Sequence, residues 1–204
     1  MSLEKSSVLE NFFYHWIQSF PYGNEQKKNV FCFEMEDKIG YVSFVGNGLV
    51  ELQAVSKENK DQYLFYLHFE IRNVKDTSHY LKTFFDFLWN ETNQSLNHKT
   101  ELIVEDTKVK NILFVCSAGW SSAYFAEEIE RELQARHLDI QTAATPVENL
   151  LSVIDDYDVV FFAPQIAYIM DDYKEEYGNK IHKISSYDFG TWNFTHIIQQ
   201  ALCA

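Results

Sequence analysis

The chain has 204 residues, 46% of them hydrophobic and 16% aromatic, which suits one large domain or two small ones with substantial cores. Its formal net charge of -13, with no basic patch in either half, argues against nonspecific nucleic-acid binding and favours a protein partner with a basic face. No segment is typical of a membrane span or a secretion signal, and the three cysteines are far apart without a C-x-x-C pair. We therefore expect a cytoplasmic protein without membrane insertion, disulfides, metal or other cofactor.

The first half combines helix and strand patterns. Residues 4–20 place apolar side chains at i, i+3 and i+4, which predicts an amphipathic helix that ends in a turn. Residues 28–72 change to period two, and Asn47-Gly48 between two such segments is a strong hairpin signal. A second helix is predicted over residues 77–93. Together these elements predict an α+β domain with an antiparallel sheet.

A polar and weakly patterned stretch, residues 93–108, separates the halves, although residues 102–104 within it predict a short strand. We place the boundary near Asp106, which gives an α+β domain of residues 1–106 and a second domain of residues 107–204. Each half has its own periodic apolar pattern, so we expect the two domains to fold separately. The first domain is either a regulatory module or a docking or dimerisation appendage; the sequence leaves its role and the oligomeric state open.

Short strands and helices alternate along the second half. Strands are predicted at residues 111–116, 138–142, 158–162 and 180–184, and helices at residues 121–136, 147–154, 165–176 and 194–202. This alternation predicts an α/β domain with a four-stranded parallel sheet and helices on both faces. Ligands of such sheets bind at the carboxyl ends of the strands, where both Cys116 and the turn Ala163-Pro164-Gln165 are expected.

The residues that carry the chemistry follow the first of these strands. An apolar run ends at Cys116, and the loop before the next helix is rich in small and hydroxyl residues: Ser117, Ala118, Gly119, Trp120, Ser121 and Ser122. A strand, a loop of this kind and a helix N-terminus form an anion site, because unpaired backbone N–H groups and the helix dipole point at one spot. The same field favours a cysteine thiolate. The pattern predicts a nucleophilic Cys116 in a phosphate-binding loop, in preference to a buried structural cysteine.

Several residues near this loop keep two interpretations. The hydroxyls of Ser117, Ser121 and Ser122 either donate to phosphate or cap the helix that begins there. Gln165 and Tyr168 are expected to border the loop from the neighbouring strand end, although Tyr168 on a helix is equally suited to packing.

Two motifs of the second half resemble the IIB component of the lactose/cellobiose class of the phosphoenolpyruvate-dependent sugar phosphotransferase system. They are Phe114-Val115-Cys116-Ser117-Ala118-Gly119 and, later, Pro164-Gln165-Ile166-Ala167-Tyr168, in the order that the family has. The resemblance covers residues 110–202, slightly less than half of the chain. It departs from the family at three positions: Trp120 replaces a methionine, Ala163 replaces a glycine, and Ser185 stands where an aspartate is common.

The resemblance implies a phosphocysteine carrier, and thus a phosphotransferase. Cys116 would accept a phosphoryl group from a histidine of a IIA protein and pass it to a β-glucoside or disaccharide at the membrane IIC component. The loop of residues 117–122 would hold that group, with Pro164, Gln165 and Tyr168 beside it. The sugar itself is not implied.

Small cysteine phosphatases and arsenate reductases give a rival interpretation of the same loop. Tyrosine phosphatases need an arginine six positions after the cysteine, and Ser122 stands there. Their Asp-Pro acid loop corresponds here to Ala163-Pro164. Redox chemistry lacks a nearby resolving cysteine. We therefore expect a carrier rather than a hydrolase, with a regulatory phosphorylation sensor on the IIB fold as a further alternative.

Overall fold

The computed structural model of the protein describes residues 3–90, 108–117 and 120–204, with the backbone alone described at residues 3–7 and 120–122. The chain forms two compact units, Met1–Leu96 and Asn97–Ala204. The expected boundary near Asp106 and the short strand predicted at residues 102–104 lie outside the described residues. None of the helices in the described part of the chain is long and apolar enough to cross a membrane.

The first unit is a five-stranded antiparallel sheet with a helix before it and a helix after it. The strands lie side by side in chain order: β1 Gly23–Lys27, β2 Val30–Glu34, β3 Lys38–Gly46, β4 Leu49–Ser56 and β5 Tyr63–Glu70. The helices are α1 Leu3–Gln18 and α2 Val74–Trp89. The predicted antiparallel sheet and both helices are therefore confirmed.

The turns of this unit follow the sequence signals. Asn47 and Gly48 have φ of 55° and 77°, which the tight turn between β3 and β4 requires, so the predicted hairpin is confirmed. Helix α2 begins three residues earlier than predicted, because the side chain of Asn73 accepts a hydrogen bond from the N–H of Asp76 at 2.8 Å and caps the helix. Strand β1 was not predicted, since its five residues are polar apart from Gly23.

Lys38 at the start of β3 holds the end of α2. Its side chain is buried, its Nζ donates to the carbonyl of Asn90 at 3.2 Å, and the same nitrogen lies 4.9 Å from the centre of the Phe87 ring. Asp37 pairs with it at 3.8 Å. Burial lowers the pKa of Lys38, and Asp37 opposes that shift. The ammonium group thus faces the negative end of the helix dipole.

Gly40 on β3 lies under α2, where its lack of a side chain leaves room for Leu88. A Cβ at residue 40 would stand 2.8 Å from Leu88 Cδ2. We expect Gly40→Ala to lower the free energy of unfolding by about 1–3 kcal/mol through overpacking. Urea unfolding of the full chain measures this change.

A double-mutant cycle identifies the clashing partner of residue 40. Because the clash involves one side chain, Gly40→Ala should destabilise a chain that already carries Leu88→Ala less than it destabilises the wild-type chain. We expect this difference, the coupling energy, to be at least about 0.5 kcal/mol. Simple additivity of the two substitutions would contradict this packing of α2 on β3.

The second unit is a four-stranded parallel sheet with flanking helices, as predicted. Its strands are β6 Asn111–Cys116, β7 Gln141–Pro146, β8 Val159–Phe162 and β9 Ile181–Lys183, in the spatial order β7-β6-β8-β9. Its helices are α3 Trp120–Ala135, α4 Asp171–Tyr177, α5 Ser186–Gly190 and α6 Phe194–Leu202. The central strands β6 and β8 are almost wholly buried, which is typical of a parallel sheet covered on both faces.

Aromatic contacts show which helix covers which face of this sheet. Phe114 of β6 is paired in register with Phe161 of β8, and its ring centre lies 5.9 Å from that of Phe125 on α3. The next residue of β8, Phe162, instead contacts Tyr173 of α4 at 5.7 Å. Because successive residues of a strand point to opposite faces, α3 and α4 lie on opposite sides of the sheet.

Three details of this unit differ from the sequence expectations. Strand β7 begins at Gln141 instead of residue 138, because α3 first ends in a turn at His137. Two of the predicted α-helices are largely 3-10 helical, at Val147–Ser152 and Pro164–Ile169, and the latter precedes the short helix α4. Helix α5 was not predicted.

Candidate functional site

Cys116 ends a central strand at the carboxyl edge of the second sheet. Its partner in register on β7 is Pro146. Since Phe114 faces α3, Cys116 two residues later faces the same side. The residue is 1% exposed. The thiol is therefore shielded from bulk water, and its reactions depend on the protein groups around it.

The loop after Cys116 leads directly into helix α3. Ser117 is exposed, and the helix begins at Trp120, three residues further on. The N–H groups of the first helical turn have no acceptor within the helix, and the positive end of the dipole lies there. Ala118 and Gly119 lie outside the described residues, and so do the side chains of Trp120, Ser121 and Ser122. Their contacts with phosphate stay predictions.

The second motif reaches the same edge of the sheet. Strand β8 pairs with β6 up to Val115 and Phe162, and the N–H of Ala163 then donates to the carbonyl of Val115 at 2.9 Å. Pro164 and Gln165 follow and are both buried. The two motifs thus occupy neighbouring strand ends, as expected. Tyr168 is 48% exposed, and both of its interpretations, as a border of the loop and as a packing residue, stay predictions.

Gln165 has a buried side chain with unmet hydrogen-bonding capacity. The residue is 9% exposed, and neither Nε2 nor Oε1 has a hydrogen-bond partner within the part of the chain that the structure describes. An unpaired buried amide costs about 1–3 kcal/mol. A bound polar group that supplies the missing partner would explain this cost.

Both arginines of residues 108–204 form ion pairs with glutamates of α3. Arg131 pairs with Glu127 at 2.6 Å and with Glu128, and Arg136 pairs with Glu132 at 3.4 Å. Arg131 is eleven residues from the start of the helix, or about 16 Å along its axis. These guanidinium groups are therefore not placed as the phosphate clamp of a tyrosine phosphatase.

The chain after β9 contributes a third segment at the carboxyl edge. The Oγ of Ser185 accepts from the N–H of Asp188 at 3.0 Å and donates to Asp188 Oδ2 at 2.6 Å, so it caps α5. The Asp188 carboxylate also accepts from Asn193 Nδ2 and lies 2.9 Å from His196 Nδ1. Ser185 is thus a helix cap; the Ser-x-x-Asp spacing is a capping signal that the sequence already contained.

Trp192 contacts the helix that follows the Cys116 loop, and the sequence does not predict this contact. Its ring centre is 5.4 Å from that of Tyr124 and 5.7 Å from that of Phe125, in the first two turns of α3. No sequence signal marks it, because the turn that it occupies is normally indicated by glycine.

Comparison with known proteins gives the following matches. Residues 111–200 match the family described as "PTS system, Lactose/Cellobiose specific IIB subunit". The chain is similar to the lactose-specific IIB component domain of Streptococcus pneumoniae, with 17% identity, 47% of this chain and 93% of that chain covered, and a TM-score of 0.40. It is also similar to the cellobiose-specific IIB component of Borrelia burgdorferi, with 30% identity, 46% and 92% covered, and a TM-score of 0.40. No match was found among curated proteins.

Proposed function

We propose that this chain carries a phosphoryl group on Cys116 from a IIA protein to the membrane IIC component. Its residues 111–200 belong to the lactose/cellobiose-specific IIB family of the sugar phosphotransferase system. One observation carries the proposal. Cys116 ends a central parallel strand only four residues before the first residue of a long helix, so that the strand end and the unpaired N–H groups of that helix lie at one edge of the sheet.

The proposed transfer has two steps. The Cys116 thiolate attacks the phosphorus of a phosphohistidine on a IIA protein; an S–P bond forms, the N–P bond breaks, and its electron pair returns to the imidazole, which takes a proton. A hydroxyl of a β-glucoside or disaccharide at the membrane IIC component then attacks the same phosphorus. The O–P bond forms, the S–P bond breaks, and the sulfur leaves as a thiolate while the hydroxyl proton passes to solvent or a base.

The loop would stabilise the negative charge of the phosphoryl group in both steps. Backbone N–H groups from Ser117 to Ser122 and the serine hydroxyls would donate to its oxygens, without an arginine. Such donors are most effective where water is excluded, and the burial of Cys116 supplies that condition. Pro164 would fix the start of the neighbouring segment, and the half-exposed Tyr168 would border the loop where a partner protein docks.

Gln165 is proposed as a further donor to the phosphoryl group. Gln165→Leu removes a buried amide that has no hydrogen-bond partner in the described part of the chain, so we expect the free energy of unfolding to stay constant or rise by about 1 kcal/mol. It also removes a hydrogen bond to a charged group, worth about 1.5–3 kcal/mol, so phosphoryl uptake should slow by roughly 10- to 150-fold. Urea unfolding and the rate of phosphoryl uptake measure the two effects. A variant that loses stability and takes up phosphate at the wild-type rate would show that the amide is structural.

The proposal is tested by intact-mass spectrometry of the full chain. The protein is incubated with phosphoenolpyruvate, enzyme I, HPr and a IIA protein of the cellobiose class. We expect a mass gain of one phosphoryl group, which disappears when IIA is omitted. A chain that gains no mass in the complete relay would refute the carrier function.

The first unit favours a regulatory alternative, because it is a compact α+β unit beyond the residues of the IIB match. A sensor would keep its phosphoryl group when IIC-containing membranes and sugar are added, whereas a carrier would lose it to the sugar. The same mass measurement after that addition distinguishes the two functions.

A further inference from the structure

Trp192 has an unusual backbone conformation. Its φ is 56°, in the left-handed region where a bulky side chain is rare. It follows α5 in a turn in which the N–H of Asn193 donates to the carbonyl of Asp188 at 2.9 Å and the N–H of Trp192 donates to that of Phe189 at 3.4 Å. This is the Schellman arrangement, and Trp192 occupies the position at which glycine avoids steric strain. A compensating interaction is therefore expected at its side chain.

Ring contacts of the indole supply that compensation. The indole meets Tyr124 edge-on, with an interplanar angle of 90°, and lies against Phe125. Phe125 is fully buried and contacts Phe114 on β6. Phe114 is two residues before Cys116 on the same face of the sheet. A continuous series of rings thus runs from the turn after α5, through α3, to the strand that ends in the thiol.

We propose that Trp192 is a positioning residue for phosphoryl transfer at Cys116. Tyr124 and Phe125 are four and five residues from the first residue of α3, so the indole fixes the first turns of that helix against β6. The N–H groups at the helix start, which face the phosphoryl group in the proposed function, keep their place through this contact. The effect on transfer rests on that proposed function; the effect on the helix does not. A misplacement of about 1 Å can reduce a rate roughly a hundredfold.

His137 provides a matched control for the backbone strain. It has φ of 58° and lies in the same type of turn, after the C-terminus of α3. There the N–H of Leu138 donates to the carbonyl of Leu133 and the N–H of His137 donates to the carbonyl of Gln134, both at 3.0 Å. Its side chain is exposed. His137→Gly therefore relieves the same strain as Trp192→Gly while the rings near Cys116 are unchanged.

The experiment compares Trp192→Gly, Trp192→Phe, Tyr124→Ala and His137→Gly in the full chain. Hydrogen exchange is measured at the amides of residues 124–128, which donate to the carbonyls of the first helical turns, and phosphoryl uptake is measured in the relay. We expect Trp192→Gly and Tyr124→Ala to exchange at least about tenfold faster there and to take up phosphate at least about tenfold more slowly. In Trp192→Phe, the exchange rate and the rate of phosphoryl uptake should both lie within about threefold of the wild-type values. His137→Gly should change neither rate.

The outcomes separate this inference from the proposed function. Unchanged exchange at residues 124–128 in Trp192→Gly and Tyr124→Ala would overturn it, whatever the relay shows. Faster exchange with wild-type uptake would also overturn it, because the helix start would then not control transfer. If the wild-type chain takes up no phosphate, the carrier function fails, and the role of Trp192 in transfer is overturned with it. General unfolding of Trp192→Gly, seen as faster exchange along β6 as well, would leave Tyr124→Ala to decide, since that exposed residue carries no backbone strain.

Discussion

Cys116→Ser is expected to take up no detectable phosphoryl group in the relay that labels the wild-type chain. Serine has nearly the same shape, but its hydroxyl oxygen is a much weaker nucleophile than the sulfur of cysteine. Transfer should therefore fall by several orders of magnitude while the fold is kept. Intact-mass spectrometry measures the loss.

The two other cysteines serve as controls for this result. Cys32 is buried in the sheet of the first unit, where burial raises the pKa of its thiol, and Cys203 is exposed at the end of α6. Cys32→Ser and Cys203→Ser should both be labelled as fully as the wild-type chain. If Cys116→Ser were labelled as fully as the wild-type chain, the phosphoryl group would be on another residue, and the proposed carrier mechanism would be wrong.

Hydrolysis of aryl phosphates is expected to be negligible. Arg131 and Arg136 are held by glutamates of α3, and the turn Ala163-Pro164 offers no acidic side chain. An arginine clamp contributes charge-assisted bonds of about 1.5–3 kcal/mol each, and a positioned general acid adds about 10²–10⁴-fold. We therefore expect p-nitrophenyl phosphate turnover several orders of magnitude below that of an ordinary enzyme.

The Cys116→Ser variant gives the background for this assay. Turnover of the order of 1 s⁻¹ that disappears in Cys116→Ser would identify a hydrolase instead of a carrier. Turnover that is equal in both proteins would be unrelated to the site.

Elements with strong local signals were predictable from the sequence. Strand β6 and helix α6 have the predicted bounds, because one is an uninterrupted apolar run and the other an amphipathic segment whose cap, Asn193, accepts from the N–H of His196. The resemblance of the second half to the IIB family is confirmed by the match over residues 111–200.

Edge strands and non-local features were not predictable in the same way. Within the described residues, strands β1 and β7 each pair with one neighbouring strand, and neither has the apolar pattern of a buried strand. The 3-10 segments are six residues long or shorter, and over so few residues their apolar pattern is the same as that of an α-helix.

The unusual features of Gln165 and Trp192 arise only in the folded chain. The amide of Gln165 is buried and has no hydrogen-bond partner among the described residues, and the strained backbone at Trp192 is accompanied by contacts with two rings that are distant in the sequence. Neither feature leaves a local sequence signal.

The hydrogen bond between Lys38 and Asn90 determines where a fragment of the first unit can end. A fragment that stops before Asn90 would lose the carbonyl that accepts from the buried ammonium group, and a buried charge that loses a partner is strongly destabilising. A fragment that keeps this hydrogen bond therefore extends beyond Trp89, the last residue of α2.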